Sequence, residues 1–274
     1  STRGHVLLYP AFRFSPESLN KLAIDKNAFI ARVNQHIDEI VPLLRKYGVN
    51  EYDVINELRD EAEWLNIVGL DTVADWFKRA HYLHPEAVLY INENSILTDG
   101  GDNKKEQDSY FDTIQYLIEQ GAPIHGIGMQ GHFSGVVSPV EKMWKVLDRF
   151  ASFGLPIRIT EYDSNTRDTK AQAQFDTDFF EAMYAHPATV GVTRWGFYEP
   201  KMWRPLGALI DAEGELKPNA VAYLKWLNDL KSNTYSLLTS DAGKVKFSGL
   251  YGSYEVRVKG ESKVFSCLFP KPPI

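Results

Sequence analysis

Five places along the chain set polar or aromatic groups directly after a short apolar run: Asn56-Glu57, Asn92-Glu93-Asn94, Gln130-Gly131-His132, Thr160-Glu161-Tyr162-Asp163 and Trp195-Gly196-Phe197. If the runs are strands of one parallel sheet, these groups converge at its C-terminal edge, the rim where barrel enzymes carry their chemistry. Glu57 and Glu161 each put a carboxylate on that rim, on strands that are not neighbours. Such a pair suits cleavage of a glycosidic bond: one carboxylic acid protonates the leaving oxygen while the other carboxylate attacks or activates water. Two carboxylates in proximity also separate their protonation, so that one can carry a proton near neutral pH. A single strand-end glutamate is explained by a bond to a backbone amide or an arginine. Two of them, each preceded by a polar residue and with aromatics at neighbouring strand ends, point to chemistry.

The other candidates are ranked by what surrounds them. Trp195 and Trp203 lie at or after the sixth strand end, where an indole can stack on the apolar face of a sugar, whereas Trp64, Trp76, Trp144 and Trp226 occupy positions that packing explains. His132 can link to Glu161 or Asp163, or be a satisfied structural histidine. His5, near the start of its run, reads as a core histidine. His81 and His84 share a helical turn but have no third metal ligand beside them. No Ser-His-Asp triad is evident, and Gly126-Ile127-Gly128 lacks the rest of a phosphate-loop pattern.

Six apolar runs must position these groups: Gly4–Tyr9, Tyr52–Asn56, Ala87–Asn92, His125–Gln130, Pro156–Glu161 and Val190–Trp195. Each is rich in Val, Ile, Leu or aromatic residues, the pattern of buried parallel strands. Between them lie helical patterns over Asn27–Tyr47, Thr72–Leu83, Gln107–Glu119, Pro139–Phe153, Thr169–Ala185 and Pro218–Asp229. Asp25 or Lys26-Asn27, Asp71-Thr72 and Ser138-Pro139 are expected N-caps, and Gly48, Gly121 and Gly154 are expected just past helix ends. The charged stretch Asp99–Asp108 is expected to be an exposed loop. Units of about 40 residues match a (β/α)₈ barrel, which takes about 250 residues, better than an open nucleotide-binding sheet. The fold class is therefore α/β, of the (β/α)₈ TIM-barrel type, with six units rather than eight.

After Leu230 the period changes to two. Val245–Phe247, Gly252–Val258 and Val264–Phe269 are expected to form a small antiparallel β extension, introduced by a turn at Ser240–Gly243. Lys246, Glu255, Arg257 and Lys259 are expected on its solvated face, and Lys271-Pro272-Pro273 as an extended end. The expected domains are the barrel over residues 1–233 and the extension over 234–274.

Composition bounds the function. Over 274 residues, 44% hydrophobic and 24% charged can bury a core, so neither disorder nor a coiled coil is the main state. Thirty Lys and Arg against 36 Asp and Glu give a net charge of -6, with no basic block for a nucleic-acid backbone. A single cysteine, Cys267, excludes an intrachain disulfide and a cysteine-built metal cluster, and no cofactor or metal is expected. No apolar run is long enough to cross a membrane, and no leader opens the chain at Ser1.

In order, Arg3-Gly4-His5, Tyr52-Asp53-Val54-Ile55-Asn56-Glu57, Gly126-Ile127-Gly128-Met129-Gln130-Gly131-His132-Phe133, Ile159-Thr160-Glu161-Tyr162-Asp163 and Trp195-Gly196-Phe197 resemble glycoside hydrolase family 10, the endo-β-1,4-xylanases. The resemblance runs from residue 3 to about residue 230. Thr239–Gly243 and Gly249–Tyr254 also look like the β extension of a bacterial and plant branch. The resemblance implies Glu57 as acid/base and Glu161 as nucleophile of a retaining reaction on xylan or xylo-oligosaccharides. It also implies that Asn56 holds the sugar 2-hydroxyl, that Gln130 and His132 position Glu161, and that Asp163 supports His132, with Asn92 in support. Trp195 and Trp203 would wall the subsite of the reacting sugar. An extracellular or periplasmic location follows from the resemblance only.

The chain also departs from the family pattern. Tyr9-Pro10-Ala11-Phe12 stands where Trp-His-Ser-Gln is usual, and Asn94 where a Tyr is common. Arg3-Gly4-His5 belongs to the family's third strand, so the six units correspond to strands three to eight. An open barrel would expose strand edges, and a separate N-terminal fragment or a second copy of the chain is expected to cover them. The expected function is a retaining endo-xylanase with activity reduced by the absent strands. The alternatives are a β-glucanase, an oligosaccharide-binding remnant without turnover, and a structural fragment.

Overall fold

Strand-forming runs that are apolar on both faces need helices on one side and a filled interior on the other. The computed structural model describes residues 2–135, 137–231, 236–246, 252–258 and 261–267. It divides into two compact units, Ser1–Asn165 with Ala188–Gly196, and Thr166–Pro187 with Phe197–Ile274.

The first unit holds a curled, all-parallel sheet of TIM-barrel type. Its strands are β1 (Thr2–Gly4), β2 (Val49–Asn56), β3 (Val88–Glu93), β4 (Gly126–Met129), β5 (His132–Ser134), β6 (Ile157–Asn165) and β7 (Thr189–Arg194). The order is β1-β2-β3-β4-β6-β7, with β5 paired to the far end of β6 through His132 and Asp163. Five of the six expected runs are strands near their expected bounds. The first differs: β1 stops at Gly4, and the ladder resumes only at Leu8, which bridges Ile55. Strand β5 was not foreseen, because three residues are too few to show a period.

Helices pack along this sheet, and their spacing explains them. α1 (Glu17–Asn20) is a single turn; α2 (Lys26–Lys46) buries Phe29, Val33, Ile37 and Val41, one per turn of a single face. Asp25 caps α2, accepting from Asn27 N at 3.0 Å and Ala28 N at 3.1 Å, a contact typically worth about 1 kcal/mol. α3 (Glu63–Val68) and α4 (Leu70–Leu83) supply Trp64, Trp76 and Phe77 to the core. Asp71 and Thr72 are not caps: α4 starts at Leu70, two residues before the expected Thr72, and the Thr72 hydroxyl bonds the Val68 carbonyl. α5 (Lys104–Glu119) begins inside the stretch expected to be a loop, because buried Gln107 anchors its first turn to the carbonyls of Ile96 and Gly101. α6 (Val140–Ala151) likewise lacks the expected side-chain cap, since Ser138 Oγ bonds the Leu97 carbonyl instead. Gly48, Gly121 and Gly154 follow their helices with φ of 75°, 76° and 70°, the left-handed conformation expected there.

The inner face of the sheet is polar. Arg3 donates to Glu51 Oε2 at 3.1 Å and Asp53 Oδ1 at 2.7 Å, Arg158 reaches Glu51 at 3.2 Å, and Arg3 lies over the Tyr90 ring. Strand β4 makes room for this filling. A Cβ on Gly126 would sit 2.3 Å from the Tyr90 ring and one on Gly128 2.4 Å from Asn92 Oδ1, so the glycines of β4 are required by close approach. Tyr110 of α5 ties the layers, donating to the carbonyls of Ile91 and Gly128 at 2.9 Å each.

In the second unit, α7 (Thr169–Ala185) starts at the cap Asp168 and packs on α8 (Pro218–Lys231), with Phe180 against Tyr223 and Trp226. The extension forms an antiparallel pair, β8 (Gly252–Val258) and β9 (Glu261–Cys267). Its alternation was expected to leave one face solvated, but residues 255–258 and 261–264 are all exposed. Val245 and Lys246 are in no strand, while Phe247, Lys259 and Lys271 to Pro273 lie outside the described residues. Among the described residues no helix is long and apolar enough to cross a membrane.

Candidate active site

Two irregularities in the sheet aim the site. Strict alternation from Asp53, which faces the interior, would turn Asn56 outward. Between Asp53 and Ile55 the register of β2 against β3 shifts, so that Asp53 pairs with Tyr90 and Asn56 with Asn92. Three steps on β2 thus match two on β3, and Asn56 returns to the inner face. Strand β6 shifts similarly against β7, between Ile159 and Tyr162, so that Glu161 and Asp163 face inward after Arg158. Bulges commonly re-aim side chains in this way. Glu57, directly after β2, has φ 53°, a left-handed backbone that a side chain seldom adopts.

Hydrogen bonds link the two carboxylates through three amides. Asn92 Nδ2 donates to Glu161 Oε1 at 2.9 Å and to Asn56 Oδ1 at 2.7 Å, and the Thr160 hydroxyl donates to Asn92 Oδ1 at 2.7 Å. Gln130 Nε2 donates to Glu57 Oε1 at 2.7 Å and lies 3.5 Å from Asn56 Oδ1. The resemblance assigned Gln130 to Glu161; the structure places it on Glu57, which it reaches from the end of β4 across the intervening β3. Asn56, Asn92, Gln130, Glu161 and Asp163 are all buried, and Glu57 is partly exposed.

Two histidines flank Glu161. His132 Nδ1 lies 2.8 Å from Asp163 Oδ2 and its Nε2 lies 3.2 Å from Glu161 Oε2. His5 repeats the arrangement from the other side, with Nδ1 3.0 Å from Asp53 and Nε2 3.7 Å from Glu161 Oε1. Burial alone depresses both imidazoles. For His132 the hydrogen bonds and charges of Asp163 and Glu161 outweigh burial, and for His5 the bond to Asp53 and the charges of Glu161 and Asp53 do, so both titrate above the usual histidine range. The Trp195 ring stands edge-on to both, with centroids 5.1 Å from His5 and 6.0 Å from His132.

The structure therefore brings Asn56, Glu57, Asn92, Gln130, His132, Glu161, Asp163 and Trp195 together in the first unit. Trp203 belongs to the second unit, where it is 58% exposed and lies under the Arg204 guanidinium, 4.2 Å away. His5 is no core histidine. Its own run placed it near a strand start, and only the short β1 sets it at the level of Glu161. Asp53 was missed as a partner, although its charge in the middle of an apolar run was a legible signal. Tyr9 was noted only as a departure from a pattern, yet its hydroxyl bonds Glu57 Oε2.

Glu57, Asp60 and Glu61 have carboxylate atoms within 4.8 Å of one another, and among the described residues they are the one such group that could share a cation. Gln130 and Tyr9 on Glu57, Asn94 on Asp60 and Arg13 on Glu61 already engage its members. Of the other histidines, His84 bonds Tyr52 and His81 packs edge-on to His125.

The sequence pattern of Glycosyl hydrolase family 10 matches residues 1–225. Endo-1,4-beta-xylanase 2 of Arabidopsis thaliana is 34% identical over 234 residues, 82% of this chain and 21% of the relative, so the chain spans about a fifth of that relative's length. Xylanase 10B from Thermotoga maritima superposes with a TM-score of 0.72 at 26% identity, covering 83% of this chain and 74% of that one. Xylanase 10B from Thermotoga petrophila RKU-1, solved in complex with xylobiose, gives the same score and identity over 83% and 73%. With the motifs, the sheet and the pattern match in agreement, this chain belongs to glycosyl hydrolase family 10.

Proposed function

We propose that the chain is a retaining endo-β-1,4-xylanase acting on xylan and xylo-oligosaccharides. The observation that carries this reading is the continuous hydrogen-bond chain Glu57–Gln130–Asn56–Asn92–Glu161 along one strand-end rim. Relatives named as xylanases support the substrate.

In the first step Glu161 attacks the anomeric carbon while Glu57 gives its proton to the departing glycosidic oxygen. A glycosyl-enzyme ester results. Glu57, now a carboxylate, takes a proton from water, which attacks the same carbon and releases Glu161. Asn92 fixes Glu161 Oε1 and His132 fixes Oε2, so the nucleophile has one orientation. Asn56 spends its carbonyl on Asn92 and offers its amide N–H to the sugar 2-hydroxyl, while Trp195 stacks on the sugar. A polymer does not cross a membrane, so this reading puts the chain outside the cytoplasm.

Xylohexaose incubated with the pure chain should yield shorter xylo-oligosaccharides whose first-formed anomer is β by NMR. Glu161→Ala should abolish release, and Glu57→Ala should slow it by about 10² to 10⁴-fold. Full activity in both variants refutes the assignment, α product refutes retention, and xylan binding without new reducing ends favours a non-hydrolysing binding protein. The same reading has a further chain segment or a second copy pairing along β1, which among the described residues bonds only β2. A stable monomer in light scattering counts against it.

A further inference from the structure

We infer that Tyr9 is a positioning residue for the acid/base, its hydroxyl serving Glu57 Oε2 in both protonation states of that carboxyl. This rests on the role proposed for Glu57.

Glu57 is clasped on both oxygens, Oε1 by Gln130 Nε2 at 2.7 Å and Oε2 by the Tyr9 hydroxyl. Its stem is fixed as well, since Glu57 N donates to the Asn92 carbonyl at 2.9 Å from a left-handed backbone. The two clasps are chemically unlike. A side-chain amide N–H can only donate, so Gln130 suits a carboxylate in every step. A hydroxyl donates or accepts by rotating. When Glu57 has given its proton to the leaving oxygen, Tyr9 donates to the carboxylate. When Glu57 has taken a proton from water, Tyr9 can turn and accept it, holding the acid in place for the next turnover.

The ring is placed independently of this bond. Leu8, bridged to Ile55, carries Tyr9 to the rim, and Phe14 meets the ring edge-on at 4.7 Å. The charged groups facing the hydroxyl are Glu57, Glu61 and Arg13, and Glu61 is paired with Arg13; Asp60 lies within 4.8 Å of Glu57, and Glu93 feels the charge of both. Burial, then the bond to Glu57 and the charges of Glu57 and Glu61, hold the phenol far above its usual range, so it keeps its proton wherever the enzyme would work.

Tyr9→Phe keeps the ring and removes only the hydroxyl. Carboxyl ¹³C NMR of glutamate-labelled protein, with Glu57 assigned through Glu57→Gln, reads the effect without requiring turnover. The bond to the carboxylate is charge-assisted and therefore stronger than the bond accepted from the acid, so losing both should move the Glu57 titration in Tyr9→Phe upward on the order of one pH unit, about tenfold in the protonation equilibrium. The alkaline limb of kcat/KM on xylohexaose should move the same way. Phe14→Leu, which alters packing on the same ring, should titrate as wild type. Coincident wild-type and Tyr9→Phe titrations, or an equal displacement in Phe14→Leu, overturn the inference. Absence of hydrolysis by the wild type instead overturns the proposed function and leaves the titration to judge Tyr9.

Discussion

Glu93, the last residue of β3, is fully enclosed, and its carboxyl is pushed up to about 8. Burial is the main cause. The backbone N–H groups of Arg59 at 2.9 Å and Asn94 at 3.1 Å oppose it, and the charges of Glu57 and Asp60 add to it. The folded state therefore binds this proton more tightly than the unfolded chain, where a glutamate titrates near its ordinary value. Stability from Glu93 is greatest below that ordinary value and is lost as pH rises towards the folded one, by about 1.4 kcal/mol per pH unit. Between pH 5 and pH 7.5 the loss amounts to about 3 kcal/mol. Glu93→Gln cannot ionise. Its NH₂ must meet one of the two backbone N–H groups, a penalty that is constant with pH, so the slope alone reads the ionisation. Denaturant unfolding at pH 5, 6, 7 and 7.5 should show the wild type losing about 3 kcal/mol more than Glu93→Gln across that range. His5 and His132 titrate in both proteins and cancel. Parallel stability curves for the two would refute the argument that this carboxyl is held neutral beside Glu57.

Asp163→Asn should lower the pH at which His132 titrates, followed by the ring-proton NMR signal, because the carboxylate supplies the leading stabilisation of the imidazolium. A raised histidine stabilises below its unfolded value and loses that contribution as pH rises through the folded one. The variant should therefore be destabilised by about 3 to 5 kcal/mol at pH 5 and by less at pH 9; an equal loss at both would contradict the pairing. Gly128→Ala puts a Cβ 2.4 Å from Asn92 Oδ1, an atom that Thr160 and the two other partners of Asn92 keep from moving. Thermal unfolding should show a loss of about 1 to 3 kcal/mol, and an unchanged midpoint would mean that Asn92 yields.

Much of this molecule was readable before its structure. The strand ends that carry Glu57 and Glu161, the six long helices α2 and α4 to α8, and the glycines past helix ends all depend on local spacing, which a chain carries in its own order. α7 was readable to the residue from its helical period, the expected Thr169–Ala185 being its observed span. The loop expected at Asp99–Asp108 failed because its charges match a solvated turn, whereas buried Gln107 folds back onto the carbonyls of Ile96 and Gly101 just before it, a contact that charge patterning does not show.

The site itself depended on contacts between strands. Period-two alternation says which way Asn56 and Glu161 point only if the register never slips, and it slips in both β2 and β6. A bulge is defined by the neighbouring strand's spacing, so no single run can announce it. The same holds for His5, Asp53 and Tyr9, whose partners lie about 48 residues or more away along the chain. Residue order thus named most of the groups that gather at the rim. Which oxygen each group holds was settled by pairing between strands, because hydrogen bonds act over about 3 Å of space whatever the separation in sequence.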